Sequence, residues 1–264
     1  MNASAYWDSM APHLISMEDN YLDPISLDHI SHEINQPVLV IGAGQGVLVE
    51  HLQKMGLHTD GVDLSAQMIR YARDRRGLSL IEADARKMPF ATESYETVIV
   101  ATGVVDFMDD DTLIDSILSE ARRVQRSSGK ILVAFYRIST VSEKFLTRLG
   151  LLHDNGLMLR ESMELYRLKP PQNLLHISRL ARTSAVRAAA MSIHCWLFST
   201  TKEKLLARNL QKVYGGKDRS DELIVATPQR VPYRNEQEIR KLLGRVGASV
   251  KSLWSLSSCY IARI

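Results

Sequence analysis

The 264-residue sequence predicts an α/β fold: a doubly wound, mostly parallel seven-stranded sheet with an antiparallel last strand, plus a helical insert. Three observations predict it. Val38-Leu39-Val40-Ile41 is a run of β-formers without alternation, as a strand buried on both faces of a parallel sheet requires. From 38 to 136, short apolar runs alternate with amphipathic helical segments, the pattern of βαβ crossovers. The chain closes on two β-rich runs joined by a short turn, a hairpin and hence an antiparallel pair.

Composition sets the outer limits. Hydrophobic residues make up 45% and charged residues 24%, ordinary for a globular protein. A net charge of +3 does not by itself call for a nucleic-acid partner. Cys195 and Cys259 lie far apart without CxxC spacing, which argues against a disulfide framework or a zinc site and fits a reducing compartment. The first residues lack the basic start and apolar core of a signal peptide. No uncharged apolar run reaches the roughly 18 residues that span a bilayer. The expected location is the cytoplasm, and no metal is expected.

In chain order, residues 1–36 read as helical and acidic, with Met10, Leu14, Ile15 and Met17 apolar and a second short helix over His29 to Ile34. Two readings apply: a helix packed on the sheet edge, or a cap that covers a site. After the first strand come Gly42, Gly44 and Gly46, at every second position. Such glycines let the chain turn sharply and let a ligand lie against bare backbone. A helix beginning at Val47 would aim unpaired N–H groups over them. A tight turn with no ligand is the plainer alternative.

Thr59 to Asp63 reads as the second strand, and Ser65 as the cap of a helix from Ala66 to Arg75. Asp63 lies 21 residues after Gly42. An acid at that strand tip faces the glycines and can accept from ribose hydroxyls; the alternative is a helix-start acid favoured by the dipole. Leu78 to Ala85 reads as a third strand, and its Asp84 can accept from an exocyclic amine. Tyr95 to Gly103 is a fourth strand. Leu113 to Arg126 is a helix with a basic end, stopped by Ser127-Ser128-Gly129 with Gly129 as its C-terminal cap. Lys130 to Tyr136 is the fifth strand.

From 140 to 230 the pattern becomes helical, with no convincing strand. This segment holds 15 Lys or Arg against 8 Asp or Glu, so it is basic while the remainder is slightly acidic. It reads as a helical cap with a basic face towards water, or as a lid over the substrate that also meets a membrane surface or an anionic substrate. Asn235 then caps a helix to Val246, and Ser249 to Trp254 and Cys259 to Ile264 form the closing hairpin. The expected domains are 1–138 with 231–264, carrying the N-terminal helical cap, and the insert 139–230.

Six blocks in this order resemble a known family: VLVIGAGQG at 38–46, GVDLS at 61–65, IEADARKMPF at 81–90, YETVIVATGVVDF at 95–107, EARRVQRSSGKILVAFY at 120–136 and the closing hairpin. The chain resembles the class I S-adenosylmethionine-dependent methyltransferases of small-molecule type. The resemblance implies S-adenosyl-L-methionine as cofactor. It implies that Gly42, Ala43, Gly44 and Gly46 pass under the methionine part and that Asp63 holds the ribose hydroxyls. Asp84 and the amide of Ala85 would read the adenine amine, and Leu64 and Met68 would press on the adenine or ribose. Ala101 and Thr102 would lie near the methyl sulfonium. The sequence departs from the family at Val40, where relatives carry an acid, so the cofactor's amino group loses a partner. It departs again after the fourth strand, where Val104-Val105-Asp106-Phe107 replaces the histidines of many relatives.

The implied reaction is in-line methyl transfer to a nucleophilic O, N, S or C of a small molecule, hydrophobic or anionic, accelerated mainly by alignment. A general base is needed only if the acceptor loses a proton in the transition state. Candidates are Asp106, Tyr6 and His13, with Tyr136, His153 and His176 behind them. Nucleic acid is not the expected partner, because no Asn-Pro-Pro-Tyr or Pro-Cys motif is present. A peripheral membrane contact through the insert is one reading of its charge, and the oligomeric state is not encoded legibly. Two alternatives remain open: a non-catalytic methyltransferase-like binding or scaffold protein, and an NAD(P)-dependent oxidoreductase. The latter would need glycine at Val47 for the GxGxxG fingerprint.

Overall fold

The computed structural model describes residues 3–15, 30–105, 108, 110–136, 157–159, 230–232, 234–256 and 259–264. The chain divides into two compact units, Met1–Tyr136 with Asn235–Ile264, and Arg137–Arg234.

The first unit opens with α1 (Ala3–Ile15) and a short 3-10 turn (Ser31–Glu33). Then come β1 (Val38–Ile41), α2 (Val47–Lys54), β2 (Thr59–Asp63), α3 (Ala66–Arg76), β3 (Ile81–Glu82), β4 (Tyr95–Val100), α4 (Asp111–Val124) and β5 (Gln125–Tyr136). The second unit contributes β6 (Leu157–Leu159) and β7 (Arg230–Pro232), and the chain returns to the first unit through α5 (Glu236–Arg245), β8 (Ser252–Ser255) and β9 (Cys259–Arg263). The sheet has seven strands in the order β3-β2-β1-β4-β5-β9-β8. Pairs from β3 to β5 are parallel, and β9 runs antiparallel to both β5 and β8, as the sequence predicts.

Both faces of the sheet are covered, which explains why β1 could not alternate. Leu39 and Ile41 point into one core with Val98, Val100 and Phe135, against Ile114 and Leu118 of α4 and Ile239 and Leu242 of α5. Val38 and Val40 point into the other, with Ile99 and Leu132, against Leu48, Val49 and Leu52 of α2 and Ile30 and Ile34 of the N-terminal segment. Each fully buried side chain of this size contributes about 1.5–3 kcal/mol. The N-terminal segment is tied to the sheet as well. Thr97 Oγ1 accepts from the Asn35 N–H at 2.9 Å and donates to the Asn35 carbonyl at 2.8 Å. Glu33 pairs with Lys130 at 2.7 Å and Arg263 at 3.1 Å.

Local turn chemistry sets the helix starts. Ser65 Oγ accepts from the Met68 N–H at 3.2 Å, and Asn235 Oδ1 accepts from the Glu238 N–H at 2.9 Å. Asp110 does the same for α4, accepting from the Thr112 N–H at 2.8 Å.

Three expectations need correction. Gly129 is not a helix cap: α4 ends at Val124, and Gln125 is already extended, with φ −70° and ψ 139°. Gly129 lies inside β5, where a Cβ would stand 2.7 Å from the Glu96 carbonyl oxygen, so glycine serves the close approach of β5 to β4. The third strand shrinks to Ile81–Glu82, although Leu78 and Leu80 ahead of it are still buried. Within the second unit, the described residues form an antiparallel pair, with Leu157 opposite Pro232 and Leu159 opposite Arg230, where only helix was expected. Runs of three, Leu-Met-Leu and Arg-Val-Pro, are too short to stand out from a helical pattern. The rest of the insert, and its reading as a lid, lies outside the described residues.

Candidate functional site

The strand tips of the first unit build the candidate site. β2, β1 and β4 are parallel neighbours with Ile41 level with Val62 and with Val100, and Asp63 is level with Glu82 of β3. Their carboxyl ends therefore share one edge of the sheet. Strand order reverses between β1 and β4, and open α/β sheets bind ligands outside such a switch point.

The glycine loop is shaped by hydrogen bonds to the neighbouring strand. The N–H groups of Gly42 and Ala43 both donate to the Val62 carbonyl at 2.9 Å. The glycines differ in what surrounds them. A Cβ on Gly42 would overlap Val104 Cγ2, and one on Gly46 would overlap Leu78 Cδ1. At Gly44, with φ +53°, no described residue lies within 4 Å of that position. Gly42 and Gly46 thus serve packing, whereas Gly44 presents bare backbone to open space. Ala43 is buried, and Gly46 caps α2 in the left-handed region.

Asp63 stands beside Gly44. Its Oδ2 accepts from the Gly44 N–H at 2.7 Å and its Oδ1 from the Ser65 N–H at 2.9 Å. Burial pushes its carboxyl above the ordinary carboxylate range; backbone donation from Ser65, Gly44 and Leu64 opposes this, and the Asp8 charge adds to it. A carboxylate has about four lone-pair sites, so capacity remains for further donors. Leu64 is half-buried and Met68 is buried, next along the same turn.

Asp84 also lies at this edge, just beyond the end of β3, but is already engaged. The Arg86 Nε lies 2.9 Å and 3.0 Å from its two oxygens, and the Arg86 N–H donates to Oδ1 at 2.9 Å. The guanidinium beside it holds its carboxyl below the usual range. Any amine read by Asp84 therefore shares that carboxylate with Arg86. Ala85 is half-buried against the core. At the end of β4, the Ala101 N–H donates to the Ile41 carbonyl at 2.9 Å. Thr102 follows, 7% exposed, and its Oγ1 is buried without a hydrogen-bond partner among the described residues. A buried hydroxyl left unpaired costs about 1–3 kcal/mol, so this atom has hydrogen-bonding capacity to offer a polar group.

Two features escaped the sequence reading. Glu120 and Arg123 clamp the 84–90 loop onto α4: Glu120 Oε1 accepts from the Met88 N–H at 2.7 Å, while Arg123 donates to the Phe90 carbonyl at 2.8 Å and the Met88 carbonyl at 3.2 Å. Asp8 reaches Ser65 across 57 residues of sequence. No local spacing signals either contact. Val40 is fully buried in the core on the α2 face and takes no part in the site.

Among the catalytic candidates, Tyr6 and His13 lie on α1, but the disposition of their side chains is outside the described residues, as is that of Tyr136 at the end of β5. Asp106, His153 and His176 are themselves outside the described residues. Among the described residues no group of three or more His, Cys, Asp or Glu could hold a metal ion, and no helix is long and apolar enough to cross a membrane.

The sheet order and its switch point define a Rossmann-like α/β fold. Residues 38–129 match the family model described as a methyltransferase domain. Demethylmenaquinone methyltransferase of Corynebacterium urealyticum is 30% identical over 117 residues, covering 42% of this chain and 49% of the relative. Ubiquinone biosynthesis O-methyltransferase of Xylella fastidiosa is 35% identical over 86 residues, 31% of this chain and 34% of the relative. The chain thus spans about half or less of the curated relatives it matches. Magnesium protoporphyrin IX methyltransferase of Synechocystis PCC 6803, a structure with bound SAH, shares the fold at a TM-score of 0.51 and 13% identity, over 98% of this chain and 96% of that one. The likeness to methyltransferases thus rests on residues 38–129, about a third of the chain.

Proposed function

We propose that the protein is an S-adenosylmethionine-dependent methyltransferase acting on a small molecule, hydrophobic or anionic. One observation carries the reading. The turns that follow β1, β2 and β4 at one sheet edge carry the open face of Gly44, the carboxylate of Asp63 bonded to it, and Thr102, whose hydroxyl has no hydrogen-bond partner among the described residues. Bare backbone admits the cofactor's chain, Asp63 has lone pairs left for ribose hydroxyls, and Thr102 Oγ1 awaits a polar partner beyond β4. The residues present therefore fit an adenosyl group with a polar amino-acid tail.

When bound, the cofactor supplies a methyl group activated by a sulfonium. The chain's own part is to bind and orient. Gly44 offers the open floor of the loop that Gly42, Ala43 and Gly46 shape by packing, Asp63 fixes the ribose, and Leu64 and Met68 press on its apolar side. Asp84 and Ala85 read the adenine edge, held there by the Glu120–Arg123 clamp. Ala101 and Thr102 line the reacting end. Held alignment of this kind can supply about 7–11 kcal/mol of a transfer barrier without any base. The preference for an apolar acceptor draws support from the quinone-biosynthesis names of the relatives and from the apolar, basic insert.

Isothermal titration tests the reading. S-adenosylhomocysteine and S-adenosylmethionine are expected to bind and NADH is not. Asp63→Ala removes charged acceptors worth about 1.5–3 kcal/mol per hydrogen bond, so binding should weaken by at least about 100-fold with the fold retained. Unchanged affinity in that variant would refute the ribose assignment.

A further inference from the structure

The contact that joins α1 to the Asp63 turn has a direction and a chemistry. Ser4 and Asp8 are four residues apart and so share one face of α1. Ser4 Oγ donates to the Leu64 carbonyl at 3.3 Å. Asp8 Oδ1 accepts from Ser65 Oγ at 2.7 Å and from the Gln67 N–H at 3.1 Å. Two turns of α1 therefore grip residues 64–67, the turn that follows Asp63. Ser65 is the shared link: its N–H donates to Asp63 Oδ1 at 2.9 Å while its Oγ donates to Asp8 and accepts from the Met68 N–H.

We infer that Asp8 is a positioning residue that latches α1 onto the Asp63–Ser65 turn, so that docking of α1 and binding of the nucleoside strengthen one another. This rests on the function proposed above. Two opposed forces make the latch responsive. The Asp8 carboxylate sits at the amino end of α3, where the helix dipole favours it. It also faces the like charge of Asp63, which its presence disfavours. Ribose hydroxyls donating to Asp63 take up part of that charge, relieve the repulsion and tighten α1. By linkage, a docked α1 strengthens nucleoside binding by the same factor.

Amide hydrogen exchange and titration with S-adenosylhomocysteine on the full chain test this, using Asp8→Ala and Asp8→Asn. Without ligand, Asp8→Ala should speed exchange in α1 by tenfold or more and leave β1, β4 and β5 unchanged. Asparagine keeps an oxygen acceptor, so Asp8→Asn should hold α1 near wild-type protection. S-adenosylhomocysteine should slow α1 exchange in the wild type, and Asp8→Ala should bind it roughly tenfold more weakly, the loss of about one charge-assisted hydrogen bond. Unchanged α1 exchange in ligand-free Asp8→Ala overturns the latch. Loosened α1 with wild-type affinity overturns the coupling. A wild type that binds no S-adenosylhomocysteine overturns the function proposed above and the coupling with it, while the ligand-free exchange still decides the latch. Should Asp8→Ala fail to fold, Ser4→Ala removes only the outer hydrogen bond and gives the same ligand-free reading.

Discussion

Gly44→Ala, set beside Gly46→Ala, separates the fold from the site. Both glycines have positive φ, +53° and +78°, so alanine at either costs roughly 1–2 kcal/mol in backbone strain. Their surroundings then diverge. At Gly46 the new methyl overlaps Leu78 Cδ1 and comes within 3.2 Å of Ala72 Cβ, in the core beneath α3. Overpacking of that kind adds about 1–3 kcal/mol, for a total of roughly 2–5 kcal/mol. At Gly44 no described residue stands within 4 Å, so no overpacking is added. A loss of about 1 kcal/mol moves the midpoint of a domain this size by about 2–4 °C. The methyl of Gly44→Ala instead fills the space assigned to the cofactor, and binding should weaken about 10- to 100-fold, by the same overpacking cost. Thermal unfolding and titration with S-adenosylhomocysteine read the two quantities separately. If Gly44→Ala binds as tightly as wild type, or is as unstable as Gly46→Ala, the open face of Gly44 is not where the ligand lies.

Three further outcomes follow from particular groups. Thr102→Val removes an unpartnered buried hydroxyl at constant shape, so denaturant unfolding should show stability unchanged or raised by about 1 kcal/mol while S-adenosylhomocysteine affinity falls; a destabilised variant with unaltered binding contradicts the assignment. The raised pKa of Asp63 makes its charge fade earlier than usual on acidification, so affinity should drop as pH falls through the raised value, and Asp63→Asn should flatten the profile. Titration in buffers of different ionisation enthalpy should show proton release on binding in that window, and no release argues against contact with Asp63. Glu33 behaves in the opposite sense. Its hydrogen bond to Lys130 lowers its pKa, so its stabilisation is present above the usual value of 4.5 and is lost as pH falls through the lowered one. Glu33→Gln should cost about 1–2 kcal/mol at neutral pH and nothing below that window, measured by urea unfolding.

Much of the fold was legible because its signals are local. The unbroken apolar run of β1, the caps Ser65 and Asn235 and the acid at the tip of β2 all act over a few residues. Gly129 misled because a glycine after a basic helix end looks the same whether it caps the helix or lets two strands approach. The strand pair of the second unit was missed because its partners lie some seventy residues apart and each is only three residues long.

The sequence by itself therefore determined the order and direction of the seven sheet strands, the helix starts capped by Ser65 and Asn235, and the two acidic tips, since periodicity and turn chemistry are written in neighbouring residues. Which glycine faces open space, that Arg86 occupies Asp84, that Thr102 keeps a hydroxyl unpartnered among the described residues and that Asp8 grips Ser65 were decided only by the tertiary structure. Each depends on side chains brought together by packing, and packing distance has no fixed relation to distance along the chain.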